Sequence, residues 1–321
     1  MRKIDPLRYG RIQKDDVNQA ARENFFELIR AAESFYEEQL DAIVDDMEEQ
    51  PGLQILCLAG PSSSGKTTTA HKLQQHFTAR GRNCRVISLD DFYLSEEESP
   101  RHEDGTPDFE TVDALDIPCI NRCVEELLDS GKTLIPQFDF HTHCRSEQWN
   151  EVLCGEDDVI IMEGLHALNP RLTGLADESH ITRLYVSARS KFVEGEGDEE
   201  RELIAPKELR LMRRMVRDVA KRSTPPEKTI DMWEKVCEGE RLYIDPYRDG
   251  AKYKIDSTMD YEPCIYRSYL EPFMQRAVMM DEDKRQALVE LWNKLVGFHE
   301  IRDASPVPED SVIREFIGSD R

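Results

Sequence analysis

The sequence predicts an α/β fold, a mostly parallel sheet covered by helices on both faces, with a helical segment packed on it at the N-terminus. Three features of the chain point there: strand-length apolar runs that alternate with helical stretches, a glycine-bounded turn between the first run and a helix, and carboxylates at the ends of later runs. The runs are LQILCLAG (53–60), RVISLD (85–90), TLIPQF (133–138), DVIIMEG (158–164), ITRLYVSA (181–188) and KYKIDST (252–258). Each is of strand length and rich in β-branched residues, and strands alternating with helices form parallel sheets buried on both faces.

Before these runs, Phe25, Ile29, Ala32, Tyr36, Leu40, Ile43 and Met47 recur at steps of three and four. That spacing places them on one stripe of a long helix ending near Pro51-Gly52, and such a stripe packs on a core. The expected division is a helical segment at 1–50, a main α/β domain at 51–300 and a short tail at 301–321. The acidic stretch EGEGDEERE (194–202) reads as a mobile solvated loop.

Bulk charge narrows the partners. Lys+Arg 42 against Asp+Glu 65 leaves −23 over 321 residues, which repels a nucleic-acid duplex or an anionic membrane. No apolar run approaches a membrane span and the start MRKIDPLRYGRIQKDD lacks the apolar core of a signal peptide, so the expected location is the cytoplasm. The eight cysteines form no C-x-x-C pair, and the histidines fit no zinc spacing. Association into a homo-oligomer is left open.

The strongest chemical signal runs from Gly60 through Pro61, Ser62, Ser63, Ser64, Gly65, Lys66 and Thr67 to Thr68, a complete G-x-x-x-x-G-K-[ST] between a strand and the helix TTTAHKLQQHF. In a P-loop NTPase the glycines let backbone N–H groups close around phosphate and the helix N-terminus adds its positive end. Lys66 would reach the β- and γ-phosphates of ATP, and Thr67 would ligate Mg²⁺. The only Asn-Lys, Asn293-Lys294, lacks the aspartate of a guanine-reading N-K-x-D, which weighs against a GTP switch.

Asp90 and Asp91 end RVISL, where ligand sites of parallel sheets lie, and one of them can accept the proton of an acceptor hydroxyl. Glu163 ends DVIIMEG, in the usual place of a carboxylate that holds Mg²⁺. The helix PKELRLMRRMVRDVAKRS (206–223) puts Arg210, Arg214 and Arg217 on one face with Arg213 flanking, which suits a lid over phosphates reached through a flexible loop. A solvated face paired to the abundant acids is the competing reading.

These motifs also resemble a known family. GPSSSGKTT, ISLDDFYL, DFETVDALD, FDFHTHCR, IIMEGLHAL and RLMRRMVRD stand in the order of the uridine kinase and phosphoribulokinase superfamily, over about residues 53–260, and are most similar to uridine kinases. KTIDMWEKVCEGERLYIDPY and PEDSVIREFIG resemble a bacterial branch of uridine kinase-like proteins. The resemblance implies that Asp90 is the catalytic base, acting with Lys66 and Arg217, and that Tyr93 lines a nucleoside pocket. It implies ribose binding by Glu110, base contacts by Phe138 and His143, a substrate-facing Arg214, and phosphate contacts by Arg217 and Arg222. Three positions depart from the pattern: Glu110 replaces an Asp, Phe138 a Tyr, and Thr224 a second substrate-contacting Arg. The implied reaction is Mg²⁺-dependent transfer of the ATP γ-phosphoryl group to the 5′-hydroxyl of a uridine- or cytidine-like nucleoside. The alternatives are another small-molecule kinase of the superfamily, or an ATP-binding regulatory protein whose N-terminal helix engages a partner.

Overall fold

The computed structural model describes residues 10–102, 105–139, 142, 144–174 and 176–318. Helix α1 (Lys14–Glu48) carries the expected stripe: Ile29, Ala32, Tyr36, Leu40, Ile43 and Met47 are all buried. It is bent at Asn24, whose backbone is extended (φ −160°) and whose side-chain oxygen accepts the Glu27 N–H, so that the second half restarts with its own cap.

Strand β1 (Gln54–Ala59) leads through the glycine-bounded loop into α2 (Lys66–Ala79), and β2 (Cys84–Ser88) follows. Helix α3 (Ile117–Ser130) starts where Asp116 caps the Cys119 N–H and stops at Gly131, which sits at φ 66°. Then come β3 (Val159–Glu163), β4 (Ile181–Ser187), α4 (Pro206–Arg222), α5 (Pro226–Tyr243), β5 (Tyr253–Asp256), α6 (Glu262–Arg276) and α7 (Glu282–Val296).

The five strands form one sheet in the order β2-β3-β1-β4-β5, and every pairing is parallel. All six residues of β1 are buried, as both faces of a central parallel strand require. Its side chains alternate: Leu56 and Leu58 enter the core shared with α1, α2, α6 and α7, and Ile55, Cys57 and Ala59 enter the core shared with α3. This sheet is the expected α/β fold, and five of the six apolar runs supply its strands.

The sixth run does not. Lys132–Ile135 pairs antiparallel with Asn150–Leu153, and Phe138–Asp139 with Cys144–Arg145, making two small ribbons outside the main sheet. Pro136 splits the run and cannot donate to a ladder, and Leu134 is exposed, so this segment is an edge rather than a buried strand. The acidic stretch 194–202 also differs from expectation. It closes a hairpin between Lys191–Glu194 and Arg201–Ile204, to which Arg11–Gln13 adds a third strand. Glu194 is held at 2.5 Å by both Lys14 and Arg201, and Glu200 pairs with Arg11, so these two acids are neutralised locally, while Glu196, Asp198 and Glu199 at the tip are exposed to solvent.

At the other end of the chain, Val312, Ile313 and Phe316 are fully buried in the core that contains α1 and α2. Among the described residues no helix is long and apolar enough to cross a membrane.

Candidate active site

The loop after β1 is shaped by contacts that exclude side chains. A Cβ on Gly60 would lie 2.0 Å from the Val186 carbonyl of β4, and one on Gly65 would lie 2.7 Å from Val312. Ser63 (φ 58°) and Gly65 (φ 88°) both adopt left-handed backbone, the kind of turn that gathers N–H groups into an anion-binding concavity just before the N-terminus of α2. The hydroxyls of Ser63 and Ser64 are buried there without a hydrogen-bond partner among the described residues. Lys66 Nζ donates to the Pro61 carbonyl across the loop at 3.3 Å. Glycines that admit no side chain, orphaned hydroxyls and an ammonium group fit a bound phosphate chain.

Thr67 Oγ1 donates to Glu163 Oε1 at 3.3 Å, at the end of β3. Burial pushes the Glu163 carboxyl up to about 7, against the pull of Lys66. A carboxylate held back from ionising, beside a threonine hydroxyl, fits a hard divalent cation that would restore the charge balance. Among the described residues no three His, Cys, Asp or Glu side chains converge as a self-sufficient metal cage, so phosphates and water would complete the shell.

The turn Leu89–Phe92 after β2 separates the two aspartates. Asp90 opens into the cleft yet is ringed by protein; burial raises its carboxyl above the usual range, and Lys66 opposes the rise. Asp91 points away, accepting the Phe138 N–H at 3.4 Å. Tyr93 and Glu110 line the same cleft as Asp90, and the Tyr93 hydroxyl donates to the Phe109 carbonyl at 3.3 Å. Burial raises the Glu110 carboxyl and Arg214 opposes it. Phe138 is buried behind Tyr93, ring centroids 5.9 Å apart, and does not line the cleft. His143 lies outside the described residues.

Helix α4 supplies the opposite wall with Arg214, Arg217, Lys221 and Arg222. Arg214 Nη1 donates to Ser62 Oγ at 2.6 Å, and Arg217 donates through Nε and Nη2 to Asp218 Oδ1 at 3.2 Å. The buried Asp218 also lies 3.4 Å from Arg214 and 3.6 Å from Arg222, so one carboxylate gathers three guanidiniums. Arg210 and Arg213 behave differently. Arg210 is buried against Glu240 at 2.7 and 2.9 Å, and Arg213 against Glu262 at 2.8 and 2.6 Å. Those two anchor the helix, and Leu209, Met212 and Met215 are fully buried beneath it. The expected lid is therefore a packed wall whose outer arginines face the cleft.

Two participants went unseen in the sequence. Asp218 stood in view inside RRMVRD, an acid among arginines, and its meaning is the pairing just described. Glu315 lies in PEDSVIREFIG, which the resemblance marked without assigning it a role: the C-terminal segment brings its carboxylate to Thr68 Oγ1, which donates at 3.1 Å, while Lys221 Nζ donates to the Glu315 carbonyl at 2.8 Å.

Part of the chain is similar to known proteins. Residues 55–180, which run from β1 to the edge of β4, match the family model described as "Phosphoribulokinase / Uridine kinase family". Over these residues the chain is similar to the phosphoribulokinase/uridine kinase superfamily. It is 27% identical over 212 residues to the uridine kinase of Deinococcus deserti, covering 66% of this chain and 91% of that protein. It is 28% identical over 210 residues to the uridine kinase of Saccharomyces cerevisiae, covering 64% of this chain and 37% of that protein. Among solved structures, the phosphoribulokinase of Rhodobacter spheroides overlaps 62% of this chain and 67% of its own, with a TM-score of 0.43 and 18% identity. These likenesses support a kinase of this family, a group that in general uses ATP with Mg²⁺.

Proposed function

We propose that residues 51–300 act as the catalytic domain of a cytoplasmic nucleoside kinase that transfers the ATP γ-phosphoryl group to the 5′-hydroxyl of a uridine- or cytidine-like acceptor. The observation that carries this reading is one cleft of 450 Å³ that holds the phosphate-loop Lys66, the carboxylates Asp90, Glu163 and Glu110, Tyr93, and the arginines of α4. On this reading, donor and acceptor groups would face each other across that cleft.

The roles follow from chemistry. Ser63, Ser64, Gly65 and Lys66 would bind the phosphates, with Arg217 and Arg222 adding charge from α4. Thr67 and Glu163 would hold Mg²⁺, which supplies neutralisation of the transferring phosphate when bound. Asp90, open to solvent in the cleft, orients the acceptor hydroxyl and takes its proton; the protein around it raises the affinity of its carboxyl for protons. Tyr93, Glu110 and Arg214 hold the acceptor. Arg145, the only basic residue of the acceptor motifs, is paired to Asp116 at 2.8 Å and lies outside the cleft, which favours a neutral acceptor over a sugar phosphate.

Two substitutions separate binding from chemistry. Lys66→Ala should fold normally and lose several orders of magnitude in turnover. Asp90→Asn should keep ATP affinity within a few-fold and lower kcat by roughly 10²–10⁴, while Asp91→Asn stays near wild type. Full turnover in Asp90→Asn would remove Asp90 from the mechanism.

A further inference from the structure

A second cleft, of 670 Å³, opens at the N-terminal end of α4, between the carboxyl end of β4, the start of β5 and the end of α5. It shares a single lining residue, Glu240, with the candidate active site. Its walls carry six cations, Arg189, Lys207, Arg210, Arg241, Arg248 and Lys254, against three carboxylates, Glu240, Asp245 and Asp249. In a chain of net charge −23 that is a local reversal of sign.

The pairing is incomplete. Glu240 is taken by Arg210, and Arg248 and Lys254 share Asp245 and Asp249 at 3.3–3.5 Å. Arg241 has only Glu238, at 3.9 Å and largely exposed. Among the described residues no carboxylate lies within 4.0 Å of the side chains of Arg189 or Lys207, and the Arg189 guanidinium reaches only the Lys254 carbonyl at 3.5 Å. Carboxylates outnumber basic residues by 65 to 42, so cations left unmatched around one concavity are not what chance pairing gives. Guanidinium and ammonium groups around a recess bind phosphoryl oxygens, and Tyr185 and Ile244 offer an apolar floor for the rest of a molecule.

The partition between the clefts is also connected to the donor loop. Glu240 Oε1 accepts the Ser62 N–H at 3.0 Å, and Arg210 Nη1 donates to the Ser62 carbonyl at 3.1 Å. A phosphoryl group arriving beside Arg210 competes with Glu240 for its guanidinium and so loosens the grip on Ser62. We propose that this second cleft binds a phosphorylated small molecule of nucleotide size, and that its occupancy alters nucleotide affinity at the P-loop through Arg210, Glu240 and Ser62.

The structure contains its own reporter, since the Arg210 guanidinium lies 5.5 Å from the centre of the Trp233 ring. The test is a calorimetric and tryptophan-fluorescence titration of the full chain with UTP and, separately, with inorganic pyrophosphate. Wild type, Lys66→Ala and the double variant Arg189→Ala/Lys207→Ala are compared; the last two positions are exposed and outside the catalytic cleft. Wild type should bind two equivalents per chain, one lost in Lys66→Ala and the other weakened at least about tenfold in the double variant. The second event should change Trp233 emission, a change absent in Trp233→Phe, and should shift ATP affinity at the first site. Filling by pyrophosphate as well as UTP identifies the phosphoryl chain as the recognised group, and filling by UTP alone adds the nucleoside. A single equivalent, wholly dependent on Lys66, or a second one indifferent to the double variant, overturns the site. An unchanged ATP affinity overturns the coupling. Neither outcome depends on which acceptor the kinase uses.

Discussion

Arg213 and Arg217 stand one turn apart on α4 and do opposite work. Arg213 is fully buried, bonded to Glu262 on two nitrogens, to Ser257 and to the Ser63 carbonyl, with its guanidinium 5.0 Å from the Phe316 ring centre. Arg213→Met leaves Glu262 buried without its partner, so chemical denaturation should show a loss of about 3–5 kcal/mol. Arg217→Ala should stay within about 1 kcal/mol of wild type in stability and lose most of its turnover. Sequence spacing alone could not divide these arginines: it placed Arg210 with Arg214 and Arg217, but the partners that bury Arg210 and Arg213 lie 30 and 49 residues downstream. His166 offers a pH test. It is buried beside Tyr243, with neither ring nitrogen bonded among the described residues, and burial lowers its value to about 4 from 6.5. The folded state therefore holds it neutral, its contribution is complete above 6.5, and it is lost as pH falls from 6.5 toward 4, by about 3 kcal/mol. His166→Phe should flatten that part of the stability profile; an unchanged slope would contradict the assignment.

At the scale of elements, the strands of the central sheet were legible because burial on both faces leaves continuous apolar runs, and α1 because its stripe has helical spacing. What hid the rest was pairing between distant segments. The run 133–138 has strand composition, but its partner is an antiparallel edge at 150–153. Glu194 and Glu200 look solvated until Lys14 and Arg11 arrive from α1 and the strand before it. Helix α5 is another example, since nothing in KTIDMWEKVCEGE shows that Gly239 leaves room for Glu110. A Cβ at Gly239 would meet Glu110 side-chain atoms at 3.3 Å, tight enough that the carboxylate must shift. Gly239→Ala should therefore raise the acceptor KM several-fold while the ATP KM stays close to wild type. Equal effects on both would mean that Glu110 does not serve the acceptor.

Across the whole molecule, both ends of the chain serve the site. Tyr36 of α1 is hydrogen-bonded to Thr69 of α2 at 2.6 Å, and Glu33 of α1 meets Ser311 at 2.6 Å, so the N-terminal helix and the C-terminal segment lock together against the P-loop helix. With a net charge of −23, the proposed anion binding would fall to local devices: the loop after β1, the gathered arginines of α4, and the unmatched cations of the second cleft. Phosphoryl transfer to a nucleoside is decided by ³¹P NMR of the product. Purified protein is incubated with ATP, Mg²⁺ and a panel of uridine, cytidine, their deoxy forms, purine nucleosides and sugar phosphates. ADP and a pyrimidine nucleoside 5′-monophosphate should appear in equal amounts, with no nucleotide product formed by Asp90→Asn on the same timescale. Inert nucleosides at millimolar concentration, with turnover supported by a sugar phosphate or by no acceptor at all, would contradict that transfer.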